Sequence, residues 1–332
     1  MKKPHMFFRI VSTVCTAALL TAAVYLPVQA EGGLWGSSSA SEGGDLWGSG
    51  TDAGDTAPAD DSLAGEGMLA PPSGKGDSAF TENNSDERVS EILQQVQSQL
   101  PRDNGSWAVY VCNLANDTSD SINNAPMQAA SLIKLFIMGA VYERYDSLSA
   151  AYGGDNLYNN LYAMITVSDN TAANTLVGYL GGGDTTAGMA VVNQYCLEHE
   201  YGSTSMGRLL LQSNENGDNY TSVEDCGRFL KEIYQTVSGS LETDPLPHAE
   251  EMFSLLQQQT RLHKIPSQMP AGVSTANKTG ELNDVENDAA IIFNAPAADL
   301  VIVFLSEDLT SVGSAQASIA GLSRAIYDFF NS

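Results

Sequence analysis

Ser131 and Lys134 lie three residues apart in an apolar stretch, SLIK, and can form a nucleophile and its base. On a helix, residues i and i+3 share a face, so the Lys134 amine can reach the Ser131 hydroxyl. A serine hydroxyl is a poor nucleophile until a base takes its proton, and a lysine desolvated by apolar neighbours can be neutral enough to do so. The spacing indicates nucleophilic catalysis, although S-x-x-K also arises by chance as a solvent-facing lysine on an ordinary helix.

Two further short motifs have side chains suited to the same chemistry. In Ser168-Asp169-Asn170 the hydroxyl can relay a proton and the amide can hold a substrate carbonyl, but the same triplet is typical of a helix cap. In Lys278-Thr279-Gly280 the lysine and hydroxyl can grip a carboxylate, and the glycine lets a substrate approach the backbone. Taken alone, the last triplet also fits a strand that runs into a turn.

The elements that must position these motifs follow from hydrophobic periodicity and turn residues. Helices are predicted from a Ser85 cap to Leu100, over Ser131–Tyr142, Thr171–Leu180, Thr186–Tyr201, from a Thr221-to-Glu224 capping box to Tyr234, over Ala249–Gln259, and through Ile319, Leu322, Ile326 and Phe330. Strands are predicted over Trp107–Cys112, Val273–Lys278, Ala289–Phe293 and Leu300–Leu305. This order predicts an α/β layer of the α+β type, built from both ends of the chain around an all-helical insertion.

The three motifs each occur once, in the order S-x-x-K, S-D-N, K-T-G. In this the chain resembles the penicillin-recognising serine hydrolases, most closely the class A β-lactamase-like proteins, over about residues 87–332. The resemblance implies an antiparallel sheet flanked by helices beside an all-helical subdomain, with the active site between them. It also implies a substrate that is a β-lactam or a small molecule like the peptidoglycan stem peptide, and no cofactor or metal is expected.

The resemblance assigns a role to each motif residue. Ser131 is the acylated nucleophile and Lys134 its base, Ser168 relays a proton, and Asn170 positions the substrate. Lys278, Thr279 and Gly280 bind the substrate, the first two through its carboxylate. The backbone N–H groups of Ser131 and Glu281 form the oxyanion hole.

One expected residue is absent. Class A β-lactamases carry a glutamate in an E-x-x-L-N motif that activates the water for deacylation, and no such motif occurs here. Leu210 stands where that glutamate would be, and Glu215 is the nearest carboxylate. Three interpretations stay open: a β-lactamase-like hydrolase with slow deacylation, a penicillin-binding D-alanyl-D-alanine peptidase, or a cell-wall binding module without turnover.

Composition limits the other classes of function. The 332 residues include 40 acidic and 15 basic side chains, a net charge of −25, which repels phosphate backbones and argues against nucleic-acid binding. The four histidines have no metal-ligand spacing, so a histidine-built zinc site is not expected.

The first 86 residues predict export and a tether. Residues 1–30 combine a basic start, an apolar run and a small-residue end at Ala30, as in a signal peptide, with an uncleaved anchor as the alternative. Residues 31–86 hold 12 glycines and 9 serines and are expected to be a disordered, acidic linker. Two Leu-Trp-Gly-Ser repeats within it are low-complexity drift or docking motifs for surface tethering.

Three cysteines follow the apolar run. Cys112, Cys196 and Cys226 allow at most one intrachain disulfide, and a Cys196–Cys226 pairing is possible but cannot be read from spacing.

Overall fold

The computed structural model describes residues 87–241 and 245–332. The signal peptide and linker predicted for residues 1–86 lie outside this part of the chain. The helices are α1 (Glu87–Gln99), α2 (Ile133–Glu143), α3 (Tyr145–Tyr152), α4 (Gly154–Thr166), α5 (Asn170–Leu180), α6 (Thr185–Glu198), α7 (Val223–Ser238), α8 (Ala249–Gln257) and α9 (Val312–Asn331). The strands are β1 (Ser106–Asn113), β2 (Thr118–Ile122), β3 (Met127–Gln128), β4 (Tyr220–Thr221), β5 (Ser274–Leu282), β6 (Val285–Phe293) and β7 (Leu300–Glu307).

Five strands form one antiparallel sheet in the order β2-β1-β7-β6-β5, with β5 at an edge. The short strands β3 and β4 pair separately, next to the turn that carries Ser131. The predicted class is confirmed: an antiparallel sheet with helices on both faces and a block of helices, α2 to α6, between its N- and C-terminal strands.

Each face of the sheet has its own apolar core, because side chains alternate along a strand. On β7, Val301, Val303 and Leu305 join the core of the helical block. Their neighbours Ile302 and Phe304 join a second core with α1 and α9. Because β7 is buried on both faces, its sequence is a continuous run of Leu, Ile, Val and Phe rather than an alternation of apolar and polar residues.

Several local predictions were wrong at their boundaries. The cap of α7 is Ser222, whose hydroxyl accepts from the Asp225 N–H at 3.1 Å, one residue beyond the predicted Thr221. Strand β5 continues through Lys278 to Leu282, since its residues stay paired with β6 up to the turn at Asn283 and Asp284. Helices α3 and α4 were not predicted.

Cys112, Cys196 and Cys226 are all buried free thiols, so the Cys196–Cys226 disulfide does not form here. Burial raises the pKa of the Cys112 and Cys226 thiols to about 12. Within the two described ranges, none of the helices combines the length and apolar character needed to cross a membrane.

Candidate active site

Ser131 lies in a tight 3₁₀ turn, Ala130–Leu132, that leads directly into α2. Ala130 adopts a left-handed backbone with φ 48°, which is strained for a residue with a side chain. The surrounding chain holds this turn in place: the Ala129 N–H donates to the Asn219 carbonyl at 2.9 Å, and the Asn287 amide donates to the Ala129 carbonyl at 3.3 Å. These contacts hold the strained turn, and with it the backbone of Ser131, against the rest of the fold.

Lys134 is fully buried one turn after Ser131, and four oxygens surround its amine. Nζ lies 3.1 Å from Ser131 Oγ and 3.1 Å from Ser168 Oγ. It donates to the Ser168 carbonyl and to Asn170 Oδ1, each at 2.7 Å. The S-x-x-K and S-D-N motifs, 34 residues apart, therefore meet at one nitrogen.

The pKa of Lys134 falls to about 7, mainly because burial disfavours the ammonium. The positive charge of Arg261 lowers it further, and the Asp169 carboxylate opposes the shift. A neutral amine has two protons and one lone pair. When the two protons go to the Ser168 carbonyl and Asn170 Oδ1, the lone pair can accept a proton from a serine hydroxyl. The geometry and the pKa together suit a base.

The S-D-N triplet is both a helix cap and part of this cluster. Asp169 caps α5, with Oδ1 accepting the Ala172 N–H at 2.7 Å. Ser168, just before the cap, has φ 61°, and its side chain lies between two lysines. Its Oγ is 3.1 Å from Lys134 Nζ and 2.9 Å from Lys278 Nζ. The hydroxyl can therefore pass a proton between the two amines.

Lys278 is also fully buried, and its amine donates to the Thr279 carbonyl at 2.7 Å as well as to Ser168. Burial lowers its pKa well below the ordinary value, with the charges of Lys134 and Arg261 adding to the effect. Thr279 is almost fully buried beside it.

Gly280 brings β5 against the Ser131 turn. A Cβ added there would lie 2.8 Å from the Ala129 carbonyl and 3.2 Å from Ser131 N, which is too close for a normal contact. Glycine at this position thus allows two backbones to touch. Glu281, the next residue, lies on β5 where it passes Ser131.

The Glu281 side chain contacts a cluster of basic groups that the sequence analysis did not identify. It forms an ion pair with Arg261, and its Oε1 lies 3.3 Å from His263 Nε2 and 3.1 Å from Lys264 Nζ. Burial raises the pKa of Glu281, but the nearby charges of Lys264, Arg261 and His263 outweigh this and lower it. No local pattern signals this cluster, because its members lie on β5 and on the loop after α8.

His263, Glu281 and Glu286 each place one ligand atom within 4.8 Å of the others, as metal ligands do. Lys264 Nζ lies 2.7 Å from Glu286 and 3.1 Å from Glu281, so the chain's own ammonium takes the cation position between these carboxylates. The donor set therefore does not fit a metal.

Leu210 lies on the loop between α6 and β4 and is 7% exposed. The Asn174 side chain fixes it, accepting the Leu210 N–H at 2.9 Å and donating to the Leu210 carbonyl at 3.0 Å. An Arg208–Asp218 ion pair at 2.7 Å closes the loop. Glu215 is exposed on the same loop and does not line the open cleft, about 500 Å³ in volume, between this loop and the β5–β6 turn.

The solved structures that are similar to this chain, among them PBP-A and class A β-lactamases, share its fold. PBP-A matches with a TM-score of 0.62 at 21% identity, over 73% of this chain and 96% of that one. A class A β-lactamase from Bacteroides cellulosilyticus matches with a TM-score of 0.61 at 20% identity, over 74% and 98%. A leucine-to-glutamate variant of PBP-A, in an acyl-enzyme complex with penicillin G, matches with a TM-score of 0.58 at 22% identity, over 73% and 97%. The search of curated protein sequences found no match.

A sequence profile of the β-lactamase enzyme family matches residues 156–330, slightly more than half of the chain. The matched range contains Ser168, Asn170 and Lys278 and begins after Ser131 and Lys134. With the fold and this match together, the chain belongs to the β-lactamase enzyme family.

Proposed function

We propose that this protein is a serine hydrolase that forms an acyl-enzyme with β-lactams through Ser131 and deacylates slowly. The observation that carries the proposal is the position of the buried Lys134 amine, 3.1 Å from Ser131 Oγ, with its protons accepted by the Ser168 carbonyl and Asn170 Oδ1. A base held this way can take the Ser131 proton without first losing its own partners.

In the first step, Ser131 Oγ bonds to the lactam carbonyl carbon while its proton moves to Lys134 Nζ. The backbone N–H groups of Ser131 and Glu281 stabilise the oxyanion. The lactam C–N bond then breaks, and the ring nitrogen takes a proton from Ser168 Oγ, which is reprotonated from Lys134 or Lys278. The hydrogen bonds of Ser168 to both amines support this route.

In the second step, water must attack the ester, and this needs a base beside it. Leu210 stands where the resemblance places the glutamate that activates this water, and a leucine side chain has no proton acceptor. The buried, apolar side chain of Leu210 also keeps water away from that place. Loss of a general base slows a step by roughly 10²–10⁴-fold. We therefore expect the penicilloyl ester to persist for minutes or longer.

One observation supports a second candidate, a D-alanyl-D-alanine peptidase. Strand β5 is at the sheet edge, and Gly280 on it contacts the Ser131 turn. An edge strand can pair with an extended peptide through backbone hydrogen bonds. Release of D-alanine from a peptide ending in D-alanyl-D-alanine would identify this activity, and its absence would leave only the β-lactam reaction.

The experiment is intact-mass spectrometry over time after mixing with penicillin G, the compound in the PBP-A variant complex. We expect a rapid gain of one penicillin mass, lost only slowly. Ser131→Ala should abolish the adduct, while Ser147→Ala, an exposed serine on α3, should retain it. Full adduct formation by Ser131→Ala would refute the assignment, and rapid steady-state hydrolysis would refute slow deacylation.

A further inference from the structure

Glu281 places a negative charge on β5, the strand that contacts the turn carrying the proposed nucleophile. The residue follows Gly280, the point at which β5 touches the Ser131 turn. Because side chains alternate on a strand, Glu281 and Thr279 share one face of β5, while Lys278 and Gly280 share the other. The Glu281 side chain therefore leaves β5 on the face opposite Lys278 and is not part of the Lys134–Ser168–Lys278 cluster. It lines the open cleft beside the β5–β6 turn.

Arg261 is an accessible cation at this position, and His263 beside it is 42% exposed. Lys134 and Lys278 are fully buried, whereas the Arg261 side chain is 44% exposed. Its ion pair with Glu281, the residue after Gly280, places it beside the edge strand that touches the Ser131 turn. Its charge also lowers the pKa of both lysines. An anionic substrate entering beside Ser131 would be attracted to this guanidinium, because arginine pairs well with carboxylates.

The Arg261 guanidinium already has a carboxylate partner. Glu281 Oε2 accepts from Arg261 Nη1, and Glu281 Oε1 is held by Lys264 and His263. Lys264 is fully buried and also bonded to Glu286, which fixes the Glu281 side chain from behind. A substrate carboxylate that approaches Arg261 must compete with this internal one.

We propose that Glu281 is a specificity-determining residue that engages Arg261 and disfavours substrates with a carboxylate beside the reacting carbonyl, relative to neutral acyl donors. The proposal rests on the proposed acylation of Ser131. It concerns the Glu281 side chain, whereas the proposed oxyanion role belongs to its backbone N–H, which a substitution leaves in place.

The test compares two β-lactams with the same acyl group, benzylpenicillin and its neutral methyl ester. Second-order acylation rate constants are measured by intact mass for the native chain, Glu281→Gln and the control Asp284→Asn. Asp284 is exposed on the β5–β6 turn, so its variant makes the same charge change nearby. We expect the penicillin-to-ester rate ratio to rise about five- to tenfold in Glu281→Gln and less than about twofold in Asp284→Asn. An unchanged ratio in Glu281→Gln would overturn the proposal.

A double-mutant cycle with Arg261→Gln adds an independent readout, and its Arg261→Gln single variant tests the proposal even if Glu281→Gln does not fold. In the native background, Arg261→Gln should change the ratio less than about twofold, because Glu281 already engages the guanidinium. A tenfold fall would show that Arg261 binds the substrate carboxylate freely and would overturn the proposal. With Glu281→Gln, Arg261→Gln should cancel the gain. No adduct from either β-lactam on the native chain would overturn the proposed function itself, whereas adducts with unaltered ratios would overturn only the role of Glu281.

Discussion

At the scale of single residues, Lys134 shows how burial can make a lysine amine suitable as a base. A lysine ammonium in water holds its proton far above neutral pH, but here the amine is enclosed by α2 and the S-D-N segment, and its pKa falls to about 7. The hydrogen bonds to the Ser168 carbonyl and Asn170 Oδ1 direct the amine toward Ser131. Desolvation and orientation thus come from the same packing.

The pH dependence of acylation should follow this pKa. A base must be neutral, so the rate should be constant above about pH 7 and fall about tenfold per pH unit below it. Lys134→Ala should slow acylation by roughly 10²–10⁴-fold and remove the inflection. Lys231→Ala, which breaks only an ion pair with Asp117 on the surface, is the control. Intact-mass rates that are equal at about pH 6 and pH 8 would contradict the assignment.

Leu210 gives the matching prediction for deacylation. In Leu210→Glu, the two Asn174 hydrogen bonds remain, because they involve only the backbone of residue 210. They should hold the new carboxylate at the base position, and the penicilloyl adduct should decay at least about tenfold faster. Leu211→Glu is the matched control, since Leu211 is 79% exposed and receives the same charge. Equal adduct lifetimes in both variants and the native chain would show that Leu210 does not mark the base position.

At the scale of elements, the motif residues could be predicted from sequence, but several of the strands, helices and contacts that position them could not. Local spacing places Lys134 one turn after Ser131, and apolar runs give β7 and α2. The predicted strand ends at Lys278, because Thr279-Gly280 suggests a turn. Pairing with β6 instead carries β5 to Leu282. Gly280 is there for close contact with another backbone, a tertiary reason that local pattern does not contain.

The helical block and the basic cluster show the same limit. Helices α3 and α4 are separated only by Gly153, which has φ 87°. Their sequence is polar and rich in tyrosine, so the spacing of the buried Leu157, Leu161 and Met164 does not stand out as an apolar helical pattern. Arg261 and Glu281 are 20 residues apart and meet only when the sheet packs on the loop after α8. Contacts between distant elements depend on the whole fold rather than on periodicity.

Gly280 offers a test of how closely β5 must approach Ser131. Gly280→Ala adds a methyl group against backbone atoms that cannot rotate away, so the strand or the Ser131 turn must shift. We expect a loss of about 1–3 kcal/mol in the free energy of unfolding. Acylation should slow by about 10²-fold, because small misplacements of reacting groups are costly.

Gly321→Ala on α9 is the control for this substitution. The added methyl group has no neighbour within 4 Å, and alanine favours a helix interior, so stability should be unchanged or rise slightly. Acylation should match the native chain. Normal acylation by Gly280→Ala would show that the contact between β5 and the Ser131 turn does not matter for the reaction.

At the scale of the whole molecule, the sheet lies between the helices that carry motif residues and the helices that only form an apolar core. On one side, the helical block packs on the sheet and supplies Lys134, Ser168 and Asn170. On the other, α1 and α9 form an apolar core with no motif residue. Helix α1, although it precedes every motif, is part of this support through Val89, Ile92, Leu93 and Val96.

The boundary of the folded part of the chain is predicted to lie near Glu87. The composition of residues 31–86 predicts that a nonspecific protease cuts there first, leaving a fragment that starts near Glu87. Residues 87–332 alone should then keep the thermal midpoint and acylation rate of the longer chain, since both cores and all motif residues lie within them. A chain starting at Pro101 is the contrasting variant. It loses the four buried α1 side chains, each contributing about 1.5–3 kcal/mol, together with the Arg88 hydrogen bond to the Phe329 carbonyl, and should unfold at a much lower temperature. A protease-resistant chain that keeps residues 31–86, or a large loss of stability on starting at Glu87, would show that the segment before α1 belongs to the folded unit.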